Sequence, residues 1–329
     1  MAIAMYLAAM ARYSLRMSAV AEIVLPVFAL ILVGYAFGRT PLFSAEGARG
    51  LGVFVYYAAI PALLFRGMAG EPPPTGGSFG LLGAYFAGTL TIFALSMALG
   101  RLLFALSFAE MGLMGMSTAF SNSVQLGIPL IVSAFGQAGL VPLSLIISLH
   151  SIILLSLATV VVEIGRGHGG EILHTAKATL LAILGNPVIA AIIAGFLWRE
   201  LGLGIPAMMG RFIDLLAAAA TPAALFSLGA TIARFRIAGD LRESLTVVAI
   251  KLFLLPLAVY LFATEIFALD AFDTAVAVCC AALPTGSNAF ILAQRYEIYV
   301  ARAASSVLIS TALSILTMGA LLAYYAPGH

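Results

Sequence analysis

The chain has 329 residues, 63% hydrophobic and 9% charged, with a mean hydropathy of +1.12. Soluble domains carry roughly 25% charged residues, so this balance excludes a water-soluble globular protein and requires a lipid bilayer around a multi-pass membrane protein. A formal net charge of +2 is too small to argue for a nucleic-acid partner, and the two cysteines, Cys279 and Cys280, are adjacent within an apolar stretch, which does not suit a structural disulfide.

Residues 1–19 read as an N-terminal extension. Arg12 and Arg16 follow the first apolar run instead of preceding it, which is the wrong order for a signal peptide, and Met17 is a candidate start. Ten apolar stretches of spanning length then follow, at about 20–38, 49–69, 79–101, 110–135, 139–163, 178–198, 211–232, 245–268, 272–293 and 299–325. The polar, Gly-rich segment 164–177 falls near the midpoint and reads as a linker.

Around that linker the chain repeats. Pro26–Gly34, PVFALILVG, is matched by Pro187–Gly195, PVIAAIIAG; Pro61-Ala62-x-Leu64-Phe65 is matched by Pro222-Ala223-x-Leu225-Phe226. Both pairs are 161 residues apart, and the same offset carries Gly127 onto Asn288. The expected domains are therefore a first five-helix repeat at 20–163 and a second at 178–325. Five is odd, so the second repeat enters the membrane inverted, as in secondary transporters.

Charge sets an orientation. Arg39, Arg49, Arg101, Arg166, Lys177, Arg234, Arg236, Arg242, Arg295 and Arg302 fall on one side, against Arg12, Arg16, Arg66, Arg199 and Arg211 on the other. The positive-inside rule puts the first set and the linker in the cytoplasm and both termini outside, in a cell (inner) membrane.

Two spans carry helix breakers. Span four holds Asn122-Ser123-Val124-Gln125-Leu126-Gly127-Ile128-Pro129, and span nine holds Leu283-Pro284-Thr285-Gly286-Ser287-Asn288. Proline removes a backbone donor and clashes with the preceding turn. Glycine adds backbone freedom. Irregular backbone at membrane depth persists only where protein or a wet cavity satisfies it, and two such segments in corresponding places point to a transporter's binding site. Arising from opposed repeats, the breaks are expected to meet near the midplane. Half-helix N-termini attract anions. Asn122, Ser123, Gln125, Thr285, Ser287 and Asn288 add polar groups without charge, and neither break contains a carboxylate. That composition favours a small organic anion as substrate. The plainer alternative is a proline kink packed inside the bundle.

Lys251 is a lone charge in span eight. It reads either as a snorkelling lysine near the cytoplasmic end or as a counter-charge and coupling residue. His150, in span five, reads as a hydrogen-bonded packing histidine or a proton carrier. Ser305, Ser306, Ser310, Thr311 and Ser314 suit close helix packing in span ten. No metal-ligand spacing, Walker loop or GxSxG occurs, so no metal, cofactor or catalytic residue is expected.

NSVQLGIPLI in span four, ALPTGSNAFILAQRY in span nine, SSVLISTALSILT in span ten and PVFALILVGYAFGR in span one resemble the auxin efflux carrier family, whose members include plant PIN proteins and bacterial malonate-type carriers. The resemblance runs over roughly residues 17–325. It implies an all-α membrane protein of ten transmembrane helices in two inverted five-helix repeats, with helices 4 and 9 broken and crossing. It also implies elevator-like transport of an organic anion, spans 3–5 and 8–10 moving against a scaffold of spans 1, 2, 6 and 7. The family's crossover residues fall on Asn122, Gly127, Pro129, Pro284 and Asn288. A homodimer through the scaffold is a further implication. H+ or Na+ as coupling ion is left open. The long central loop of many plant members is lacking, which weakens auxin as the substrate. A receptor or channel using the same pocket is the alternative; an intramembrane hydrolase lacks all but His150 as a base.

Overall fold

The computed structural model describes residues 22–70, 78–167 and 185–325. The N-terminal extension with Met17, residues 168–177 of the linker and the first residues of the sixth expected span lie outside them.

Within the described residues the chain is helical throughout, apart from connections and one isolated antiparallel bridge, Ser121 with Thr285. The helices are α1 (Glu22–Gly38), α2 (Ala45–Gly70), α3 (Ser78–Phe104), α4 (Phe108–Ala119), α5 (Ser123–Phe135), α6 (Leu140–Gly165), α7 (Pro187–Glu200), α8 (Ala207–Ile232), α9 (Leu241–Ile266), α10 (Ala271–Ala282), α11 (Ser287–Tyr296) and α12 (Val300–Tyr325). Six are long and apolar enough to cross a membrane: α2, α3, α6 with its leading turn from Gln137, α8, α9 and α12. Where the sequence suggests single spans at 110–135 and 272–293, the structure has the helix pairs α4–α5 and α10–α11.

Short polar side chains start these helices. Ser107 and Glu110 form a reciprocal capping box on α4, Asn186 caps α7 ahead of Pro187, Asp240 caps α9, and Asp270 caps α10. Three π turns, Val55–Ala59, Ser123–Gly127 and Ile250–Leu254, each end two residues before a proline: Pro61, Pro129 and Pro256. The proline has no N–H for the carbonyl four residues back, and the wider turn moves that carbonyl clear of the ring without breaking the helix.

The molecule is apolar outside as well as inside. Leu25, Phe79, Met208, Leu215 and Leu316 are all more than 60% exposed. Such a surface is stable against acyl chains and not against water. Glycines bring backbones close: a Cβ at Gly34 would strike the Phe226 carbonyl, and one at Gly195 would stand 2.8 Å from the Phe65 carbonyl. These contacts lock α1 to α8 and α2 to α7.

Candidate functional site

The site forms where α4–α5 and α10–α11 are interrupted. After Ala119 the chain runs extended through Phe120 (φ −81°, ψ 109°) and turns at Asn122 (φ −77°, ψ 60°). After Ala282 it runs extended through Leu283 (φ −58°, ψ 150°) to Gly286 (φ −74°, ψ 146°). The two extended pieces pair. Asn122 N–H donates to Pro284 O at 2.9 Å, and Gly286 N–H donates to Phe120 O at 2.9 Å. Thr285 is held on both sides, its hydroxyl donating to Ser117 O (2.8 Å) and its N–H to Ser310 Oγ (3.1 Å). Backbone groups released by one break are thus satisfied by the other, as an apolar surrounding demands.

The first break lies upstream of where its breaker residues suggest. Gly127 and Pro129 are not in the irregular segment: helix resumes at Ser123, and Gly127 is helical at φ −64°, ψ −48°. The π turn absorbs the proline, with Gly127 N–H donating to Asn122 O at 3.0 Å. Gly127 serves by its size, because a Cβ there would meet Leu283 Cδ1 at 2.7 Å. Helix resumes at Ser123 and at Ser287, 164 residues apart, where the sequence pattern suggests 161.

A cavity of about 240 Å³ opens beside the paired segments. Asn122, Ser123, Gln125, Ser287 and Asn288 line it, with His150. Gly127, Pro129, Pro284, Thr285 and Lys251 do not reach it; they sit in the layer that shapes it. Its far wall comes from Tyr56 on α2 and Asn186 at the start of α7, neither singled out by the sequence. A second cavity, of about 530 Å³, lies further along α2 beside Arg66, Gln137 and Asp214. There Arg66 Nε pairs with Asp214 Oδ1 at 2.7 Å.

Two residues that line the first cavity carry a buried polar atom without a partner: Asn122 Nδ2 and Ser287 Oγ. Buried polar groups are ordinarily hydrogen-bonded, so these two are exceptions to the rule. The first turns of α5 and α11, through Val124, Gln125, Ser287 and Asn288, also face the cavity and present the positive ends of both half-helices. No acidic side chain is among the lining residues.

Lys251 does not snorkel. It is fully buried, and its Nζ donates to Ser121 Oγ (2.7 Å) and to Ala281 O (2.7 Å). The ammonium therefore rests on the carbonyl end of α10 and just past the end of α4, where helix dipoles are negative. Ser121, unremarked in the sequence, is the hub: it accepts from Lys251, approaches Tyr85 Oη at 3.5 Å, and donates its N–H to His150 Nε2 at 3.1 Å. Accepting there fixes His150 as the neutral tautomer protonated on Nδ1, which faces Tyr85 Oη at 3.3 Å. In span ten, Ser306, Thr311 and Ser314 bond to carbonyls of their own helix, while Ser310 also receives Thr285 N–H.

The site is therefore that of a membrane protein with a small, acid-free cavity walled by two helix starts. Comparison with known proteins identifies the class. The sequence model described as membrane transport protein matches residues 19–322. A protein of Rhizobium meliloti (strain 1021) named "Putative malonate transporter" is 31% identical over 306 residues, which cover 93% of this chain and 96% of that protein. The chain belongs to this family of membrane transport proteins, the auxin efflux carrier family, and is a membrane-spanning transporter, not an enzyme.

Proposed function

We propose that the chain is a secondary carrier of a small organic anion, and that the carboxylate of that anion binds at the paired breaks between Asn122, Ser123, Gln125, Ser287 and Asn288. One observation carries the reading: two residues with buried, unpartnered donors line a cavity that has two helix N-termini, no acid, and the Lys251 ammonium one residue behind its wall. The R. meliloti relative's name specifies malonate, so short dicarboxylates head the substrate class to test, followed by monocarboxylates of the auxin type.

The architecture proposed with it has ten spans: α1, α2, α3, α4–α5, α6, the span ending in α7, α8, α9, α10–α11 and α12. Two inverted repeats are supported by a reciprocal contact. Gly34 packs on Phe226 and Gly195 packs on Phe65, and each residue of one pair is 161 positions from its counterpart in the other. Elevator movement of α3–α6 and α9–α12 against α1, α2, α7 and α8 is supported by the cavity's position. Tyr56 and Asn186 belong to the second group, and the paired breaks belong to the first. The charge asymmetry supports an inner-membrane orientation with both termini outside.

Uptake of labelled carboxylates into proteoliposomes tests the reading. Saturable uptake of malonate or a related anion is expected, with loss of affinity for its methyl ester. A charge-assisted hydrogen bond contributes about 1.5–3 kcal/mol, so Asn122→Ala and Asn288→Ala should each weaken substrate binding about tenfold to a hundredfold. Unchanged affinity in both folded variants would remove this cavity as the binding site.

A further inference from the structure

Glu243 is the buried carboxylate among the described residues, 1% exposed in the first turn of α9. Its Oε2 lies 3.1 Å from Arg302 Nε as an ion pair, and the same guanidinium donates through NH1 to Glu110 Oε1 at 2.9 Å. Glu110 is otherwise satisfied, since its Oε2 accepts from the N–H and hydroxyl of Ser107. Two carboxylates thus share one guanidinium, with one negative charge in excess.

Two atoms in this cluster are left over. Glu243 Oε1 is buried without a partner, and so is the hydroxyl of Tyr299, a residue 7% exposed. Tyr299 faces Glu243 without closing a hydrogen bond to it, and its ring lies 5.3 Å from the Arg302 guanidinium. Its backbone is left-handed, φ 65°, a conformation that L side chains adopt only when the surroundings impose it. The remaining charged group facing Glu243 is Asp240, the cap of its own helix.

We propose that Glu243 is the proton-binding site that couples transport, taking a proton on Oε1 when substrate is carried and releasing it when the unit returns empty. The inference rests on the carrier reading above. A proton on Oε1 gives the buried orphan acceptor a hydrogen of its own and cancels the cluster's excess negative charge, leaving Glu110 as the one ionised carboxylate on the one guanidinium. Only an O–H bond forms and breaks, and the proton comes from and returns to water, which reaches the cluster because the side chains of Arg302 and Glu110 are 28% and 27% exposed. A metal cation suits the place poorly, since a guanidinium already lies 3.1 Å from the carboxylate. Charge balance points the same way. Lys251 carries one positive charge about 12 Å along the same helix, from the rise of 1.5 Å per residue, and offsets the cluster's excess negative charge. A bound monoanion, or the hydrogen form of a dicarboxylate, would upset that balance, and one proton on Glu243 restores it.

The test uses full-length protein in liposomes with labelled malonate. Counterflow at equal pH on both sides reports carrier activity alone; net uptake driven by acid on the substrate side reports coupling. In the wild type the pH gradient is expected to raise net uptake about tenfold. Glu243→Gln should bring the ratio of gradient-driven uptake to counterflow down about tenfold, and Tyr299→Phe should shift the pH at which half the stimulation is reached. A protonated-carboxyl infrared band that titrates in wild type and is missing in Glu243→Gln gives a readout independent of substrate. Counterflow without any response to the pH gradient, a response to sodium instead, or a titrating band that survives in Glu243→Gln would overturn the inference. Absence of counterflow across a carboxylate panel would sink the carrier reading instead, and the infrared titration would then decide the proton site alone.

Discussion

Replacing Lys251 by methionine removes one charge and leaves the chain's shape nearly unchanged. The ammonium is fully buried, has a hydroxyl and a carbonyl as its partners, and pairs with no carboxylate. Its burial is costly, and an apolar residue of similar volume often leaves stability unchanged or raises it. Against this stands the Ala281 carbonyl, which loses its donor at about 1–3 kcal/mol. The two nearly cancel, so Lys251→Met should fold with a melting temperature close to that of the wild type. Binding should not be spared. For a carboxylate held on Asn122, the neighbour of Ser121, a separation of about 7 Å from Nζ would give an attraction of about 2 kcal/mol at an effective dielectric of 20. That corresponds to about thirtyfold in affinity for a monoanion, and more for a dianion. Lys251→Arg keeps the charge but not the fit, and should fall between. The assay is equilibrium binding of labelled substrate to purified protein, with thermal unfolding as control. A folded Lys251→Met variant with wild-type affinity would refute the argument that this charge acts on the substrate.

Two further outcomes are expected. Gly127→Val should cost about 1–3 kcal/mol of stability and reduce transport, because its side chain enters the 2.7 Å gap to Leu283 Cδ1; a variant with unchanged melting and flux would show that the paired breaks tolerate displacement. A single cysteine in the 164–177 linker, with Cys279 and Cys280 replaced by alanine, should resist impermeant thiol reagents in intact cells, while one after Tyr325 should react; labelling of the linker from outside would reverse the proposed orientation.

Hydropathy made the helical segments legible because an apolar run of spanning length has few other uses. It placed their ends to within a few residues, as α8 at Ala207–Ile232 against an expected 211–232 shows. The breaks were legible in kind and partly misplaced in position. Pro129 and Gly127 are visible breakers, yet the interruption at Phe120–Asn122 is set by pairing with Pro284–Gly286, a contact more than 160 residues away that no local pattern encodes. Lys251 shows the same limit. Its place in the helix allows both a snorkelling and a buried side chain, and the partner that decides the matter, Ser121, is 130 positions distant. Glu243 reads in sequence only as a charge at the cytoplasmic end of a span. Its burial depends on Arg302 and Tyr299, which arrive from α12 and the turn before it.

The arrangement around Lys251 also bears on how a carrier can bind an anion and still let it go. An arginine or lysine in direct contact at about 3 Å would supply about 5.5 kcal/mol at a dielectric of 20, against about 2 kcal/mol from a charge one residue behind the wall. The difference of about 3 kcal/mol is more than a hundredfold in affinity, and since affinity differences fall mostly on dissociation, much of it would appear as slower release. Here the positive charge is held back by Ser121, anchored on the negative ends of α4 and α10, while the positive ends of α5 and α11 and uncharged amides meet the cavity. In the carrier proposed above, field and contact would thereby be separated: the charge would select an anion, and neutral donors that water can replace would hold it. Moving that charge into the cavity, as in Asn122→Lys, should therefore tighten binding and slow turnover together, and faster turnover with tighter binding would contradict this division of roles.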